Sequence, residues 1–181
     1  MKNITYNNET FYYNKGKVFD ESFLVVPFEK AAEVLASYYA SIDYSNFDEQ
    51  EMIDFVAEIK NSEQYHTCLN IAFAGFEKFK GSDYYACKVF PIISSCYRSI
   101  GQPQKAIDFW MQNKSIYANA LTVPLLTSLG AAYLDVRDYK LAKMCADKAY
   151  AMQGGGKGFK TELSLLYARL AKETGEGYDR F

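Results

Sequence analysis

From about residue 27 onward, apolar positions recur at helical spacing, and Gly, Pro, Asn or Ser interrupts them roughly every fifteen to twenty residues. That is the pattern of short helices joined by tight loops, and eight are predicted. The first, near 27–43, begins at Pro27, where a missing N–H costs nothing, and carries Ala31, Val34, Leu35 and Tyr38. Asn46 with Glu49 can cap the next helix reciprocally ahead of Met52, Ile53, Val56 and Ile59. Asn61 with Gln64 offers the same device to a third, which carries Cys68, Leu69, Ala72, Phe73, Phe76 and Phe79 and closes at Gly81. Ser82 or Asp83 then caps a fourth. The remaining helices are read near 83–100, 103–116, 121–136, 138–152 and 159–174. Residues 1–26 differ. Phe11-Tyr12-Tyr13 and Val18-Phe19 flank Asn14-Lys15-Gly16-Lys17, which suits either a small hairpin or an irregular arm packing its aromatics over the end of a helical stack.

Self-similarity sharpens this picture. Phe90, Ile93, Ser94 and Tyr97 fall at i, i+3, i+4 and i+7, with Ala106 beyond Gly101. Leu126, Leu129, Gly130 and Tyr133 repeat the spacing, followed by Ala142, at a constant offset of 36 residues. Each window places two large apolar residues, a small one and a tyrosine on one face of a helix, then a turn, then a small residue on the next helix. A small residue lets the partner helix come close, and the tyrosine fills the wedge between pairs. These windows resemble the tetratricopeptide repeat, a helical pair of about 34 residues. The better units are 87–120, with Tyr97-Arg98-Ser99-Ile100-Gly101 and Trp110, and 123–156, with Tyr139 at the turn and Ala149 further on. Ala146 departs from the aromatic the family prefers there, and Ala118 and Gly154 stand where its closing proline is expected. A weaker echo at Gly81-Ser82-Asp83-Tyr84-Tyr85-Ala86 conflicts in register with the better unit. The helix over 159–174, with Leu163, Leu166 and Leu170 on one side and Glu162, Arg169, Lys172 and Glu173 on another, reads as a solvent-facing cap on the array.

The resemblance implies an all-α fold: antiparallel helix pairs stacked as a short right-handed solenoid over 27–181, with a non-helical or small hairpin arm over 1–26. It further implies a face of first helices that receives a protein or peptide. Carried onto the two matching units, the partner-binding candidates are Lys88, Ser95, Arg98 and Ser99, then Thr127, Ala131, Leu134 and Asp135. Ser95 and Ala131 stand where the family's carboxylate-clamp asparagines would be sought, which argues against a receptor for C-terminal tails.

Composition narrows the chemistry. The chain has 181 residues, 49% hydrophobic and 17% aromatic, with 20 Lys+Arg against 22 Asp+Glu. Nothing there forms the basic footprint that nucleic-acid backbones require. No apolar run reaches the length of a membrane span, and the start resembles no signal-peptide core, so a cytoplasmic location is expected. Cys68, Cys87, Cys96 and Cys145 are widely spaced and read as free thiols. His66 and Cys68, two apart on a helix, point to different faces, and no further ligand completes a metal site. Gly154-Gly155-Gly156-Lys157-Gly158-Phe159-Lys160-Thr161 resembles a phosphate loop, but Phe159 replaces the glycine that must precede Lys-Ser/Thr. A flexible connector is the better reading. No nucleophile–base pairing is visible at a recognisable spacing.

The sequence thus predicts a non-catalytic adaptor without cofactor or metal, binding a protein or peptide of unspecified identity. The alternative is an accessory subunit of a larger enzyme or nucleoprotein complex, docking through its convex face or through the N-terminal arm. Tyr6, Phe11, Tyr12, Tyr13 and Phe19, aromatics outside the repeat, are the expected contacts of such an arm. Deletion of residues 1–26 is expected to separate the two.

Overall fold

The computed structural model describes residues 1–14, 16–153 and 161–176. Among the described residues the element order is three strands, β1 (Lys2–Tyr6), β2 (Glu9–Asn14) and β3 (Lys17–Phe19), and then eight α-helices, with one 3-10 turn, Ala118–Ala120, between the fifth and the sixth. The α-helices are α1 (Phe28–Ser41), α2 (Glu49–Asn61), α3 (Tyr65–Lys78), α4 (Asp83–Ser99), α5 (Pro103–Asn113), α6 (Val123–Asp135), α7 (Tyr139–Met152) and α8 (Thr161–Thr174). The fold is helical with a small stranded arm, and it divides into two compact units, Met1–Lys78 and Phe79–Phe181. The strands share the first unit with α1–α3, whereas the sequence pattern placed a border after residue 26. Segment 154–160, weighed above as a phosphate loop, lies outside the described residues.

In the first unit the arm is an antiparallel meander in the order β1-β2-β3. The β1–β2 hairpin turns on Asn7 and Asn8, both at positive φ (51° and 63°). Asparagine tolerates this left-handed geometry, which matches the twist of the flanking strands. Ile4 opposes Phe11 and Tyr13 opposes Val18, and all four are buried. That face packs on the helices of its own unit. Tyr13 and Tyr39 both bring their hydroxyls to Ser62 Oγ, at 2.7 and 2.6 Å. Lys2 Nζ lies 2.6 Å from Glu58 Oε2, and Lys30 Nζ lies 4.8 Å from the centre of the Tyr6 ring. Phe11 and Tyr13 are therefore core residues and Tyr6 leans on α1, which corrects the expectation that these rings form an outward contact surface.

Helix starts follow local chemistry. The α2 capping box uses Asp48 and Glu51, not Asn46 and Glu49: Asp48 Oδ1 accepts from Glu51 N, and Glu51 Oε2 accepts from Asp48 N, each at 2.8 Å. Asn61 is the last residue of α2 and does not open α3. Ser82 caps α4 by accepting from Tyr85 N at 3.1 Å. Thr122 and Asp138 do the same for α6 and α7. The turn after α4 bends at Gly101, φ 73°, in the left-handed conformation that glycine adopts without cost.

Candidate functional site

Within the unit Phe79–Phe181, α4 packs on α5 and α6, α6 on α5 and α7, and α8 on α6 and α7. The first helices of successive pairs are thus neighbours, α4 beside α6 beside α8. Small residues permit this. Gly130 sits where three helices converge, and a methyl group there would lie 2.6 Å from Leu166 Cδ2, 3.2 Å from Cys145 Cβ and 3.3 Å from the Ala142 carbonyl oxygen. Between α4 and α6, Ser94 Oγ donates to the Ser128 carbonyl, and Ser128 Oγ donates back to the Pro91 carbonyl, each at 3.3 Å. Tyr97 and Tyr133 pack against the buried cluster of Ala106, Ile107 and Ala132. Burial pushes both phenols above their ordinary range.

Near their C-terminal ends the three first helices are joined by charge. Asp135 Oδ2 accepts from Arg98 Nε at 2.6 Å, and Asp135 Oδ1 accepts from Arg169 Nη2 at 2.7 Å. Partial burial works to raise the Asp135 carboxyl, but the hydrogen bonds and charges of the two arginines outweigh it and hold the group below the usual carboxylate range. One carboxylate against two guanidiniums leaves one positive charge in excess. Arg169, with 46% of its side chain exposed, is the more accessible of the two arginines.

The sequence candidates fall into three groups. Lys88 and Ser99 are exposed and Ser95 is half-buried; with Tyr84 these positions form one stripe along α4. Lys88 Nζ lies 6.0 Å from the centre of the Tyr84 ring. Arg98 and Asp135 are engaged with each other. Leu134 is buried at 4% exposure in a cluster with Leu163, Leu166 and Leu170 of α8, and Ala131 belongs to the same cluster. Thr127 is buried as well, its Oγ1 donating to the Val123 carbonyl at 2.8 Å. Thr127, Ala131 and Leu134 are therefore buried, a correction to their placement on an open face: the capping helix α8 packs over Ala131 and Leu134, and Thr127 is turned onto its own helix. Tyr84 and Arg169 are exposed beside these positions, and the sequence reading did not name them as partner contacts. The i, i+4 spacing of Tyr84 and Lys88 was the available signal for the first; for the second there was none, since Arg169 reaches Asp135 from 34 residues away.

A search of solved structures finds the crystal structure of the Sgt2 TPR domain from Aspergillus fumigatus, at TM-score 0.57 and 15% identity over 70% of this chain and 79% of that one. The fold is TPR-like. No family model matches the sequence, and no curated protein matches it. The helices of the described residues agree with the fold class read from the repeat, and within the unit Phe79–Phe181 the first helices α4, α6 and α8 lie side by side with α5 and α7 packed against them.

Other chemistry is sparse among the described residues. No group of three or more His, Cys, Asp or Glu side chains is placed to hold a metal ion. His66 is exposed, while Cys68 is fully buried with Sγ donating to the Val56 carbonyl at 3.4 Å. Burial pushes the Cys145 thiol up to about 11, so it is protonated at neutral pH. No described helix is long and apolar enough to cross a membrane.

Proposed function

We propose that this chain is a non-catalytic protein-binding scaffold whose working surface is the exposed stripe of α4 beside the Arg98–Asp135–Arg169 cluster. The observation that carries this reading is the way that cluster fastens α4, α6 and α8 at one end. A surface spread over three helices binds well only if its parts are held before the partner arrives, because ordering on contact subtracts from affinity. Tyr84, 47% exposed, supplies apolar area. Lys88 and the excess guanidinium charge favour an acidic segment. The cytoplasm, where such adaptors meet their partners, is the proposed location.

The test is affinity capture with the tagged chain from cells that express it, comparing wild type with Tyr84→Ser/Lys88→Glu. Loss of the captured protein with unchanged helicity supports the α4 surface, and unchanged capture removes it. Arg98→Glu is the wrong probe, since it would set two carboxylates against each other and loosen the scaffold itself.

A second reading, an accessory subunit docking through its N-terminal segment, is favoured by one feature. Phe23, Leu24 and Val25 are 59%, 65% and 60% exposed, and Phe28 is 72% exposed. Phe23 holds φ at 58°, an uncommon angle for a bulky residue. The loop is fixed by Asp20, whose Oδ1 accepts from both Ser22 N and Leu24 N at 2.9 Å. Phe23→Ser/Leu24→Ser abolishing capture, with Tyr84→Ser/Lys88→Glu without effect, would establish this reading over the first.

A further inference from the structure

On the side of α5 and α7, the unit Phe79–Phe181 contains a cavity of about 350 Å³ that lies apart from the α4 surface. Trp110, Leu126, Leu129 and Tyr133 supply apolar walls, and Lys114 and Lys148 stand at its rim. Its volume lies at the small end of the range for ligand pockets, about 300–1,000 Å³, enough for one or two apolar side chains and too little for a helix.

The charges around it are unevenly placed. Lys114 follows the last residue of α5 and Lys148 lies in the second half of α7; both are exposed, and among the described residues neither forms an ion pair. The carboxylates near Tyr133, those of Asp108 and Asp138, are occupied: Asp108 Oδ1 accepts from Gln104 Nε2 at 2.8 Å, and Asp138 Oδ1 caps α7 through Leu141 N at 3.0 Å. On α7, Asp147 next to Lys148 is held by Lys143 and by the Tyr167 hydroxyl. Cys145 is neutral and contributes apolar wall.

We infer that this cavity is a second partner site, taking a peptide segment of another protein that carries a large apolar side chain followed directly by acidic residues. The apolar side chain enters between Trp110 and Leu129, and the adjoining carboxylates meet Lys114 and Lys148. Two cations at one rim call for more than one carboxylate, which consecutive Asp and Glu supply and a single fatty-acid carboxylate does not. This inference rests on the reading of the chain as a protein-binding scaffold, but not on the α4 surface.

Trp110 is the only tryptophan in the sequence and lines the cavity, so its emission reports occupancy. The probe is the blocked hexapeptide Gly-Leu-Leu-Asp-Glu-Gly. A saturable change in Trp110 emission is expected, weakened about tenfold when Asp-Glu becomes Asn-Gln and about tenfold by Lys114→Gln/Lys148→Gln. Ala118→Phe, which fills the cavity from an exposed position at its edge, is expected to abolish the change. No change up to millimolar peptide, equal binding of the Asn-Gln peptide, insensitivity to the lysine substitutions, or equally tight binding of octanoate would each overturn the inference. If the titration fails while protein capture still responds to Tyr84→Ser/Lys88→Glu, the cavity assignment alone falls; if both fail, the scaffold reading falls with it.

Discussion

Ser62 has one hydroxyl proton and three oxygen neighbours. Its Oγ lies 2.9 Å from the Glu58 carbonyl, which can only accept, so both the Tyr13 and Tyr39 hydroxyls must donate to the Ser62 lone pairs. Burial is the largest influence on Tyr39 and pushes its phenol far above the usual range, so that donor stays protonated. Ser62→Ala would leave the Tyr13 hydroxyl without its acceptor while Tyr39 keeps a longer bond to Glu58 at 3.4 Å. A loss of about 1–3 kcal/mol in chemical denaturation is expected. Tyr13→Phe in the same chain should recover part of that loss, because the stranded donor goes with it. Gly130→Ala is the corresponding packing experiment. Helix propensity returns up to about 1 kcal/mol, but a methyl group against Leu166, Cys145 and Ala142 costs about 1–3 kcal/mol. Net destabilisation in thermal or urea melts is the expected sign, and a gain would mean that α8 moves aside freely.

Between elements, the Asp135 cluster links folding to pH. A carboxyl whose pKa is depressed in the folded state contributes stability that is complete above its unfolded pKa and disappears as pH falls through the folded value. Wild type should therefore exceed Asp135→Asn by about 1–2 kcal/mol at neutral pH, with the gap closing below about pH 4. Urea melts across that range read it directly, and a gap independent of pH would remove the charge explanation. Elements were also where sequence reading succeeded most. The helix expected over 83–100 is Asp83–Ser99 and that over 138–152 is Tyr139–Met152, because caps and periodicity are local. β1 escaped because its turn uses Asn7 and Asn8 where a glycine signal was sought. The placement of Leu134 on an open face failed for a different reason: a repeat consensus says which side of a helix faces its own partner, but the cover over Leu134 comes from α8, a helix some thirty residues away.

At the scale of the molecule, the strands change what can be asked of the chain. Deleting residues 1–26 reads from sequence as a clean way to remove a docking arm, but in the structure it removes Ile4, Phe11, Tyr13 and Val18 from the core of the unit Met1–Lys78. It also strips Ser62 of a hydrogen-bond partner and Glu58 of Lys2. The unit Phe79–Phe181 draws its core from its own helices: Leu126, Ala146 and Leu166 in one cluster, Ala106 and Ala132 in another, and Phe90 against Phe109, Trp110 and Tyr117. The two truncations should therefore behave oppositely. A chain of residues 79–181 is expected to melt cooperatively, with Trp110 emission matching the full chain, while a chain of residues 27–181 loses amide protection in α1 and keeps it in α4–α8. Hydrogen exchange on both truncations makes the comparison. Retained protection of α1 without the strands would show that the arm is dispensable for folding, and only then would its deletion serve as a test of docking.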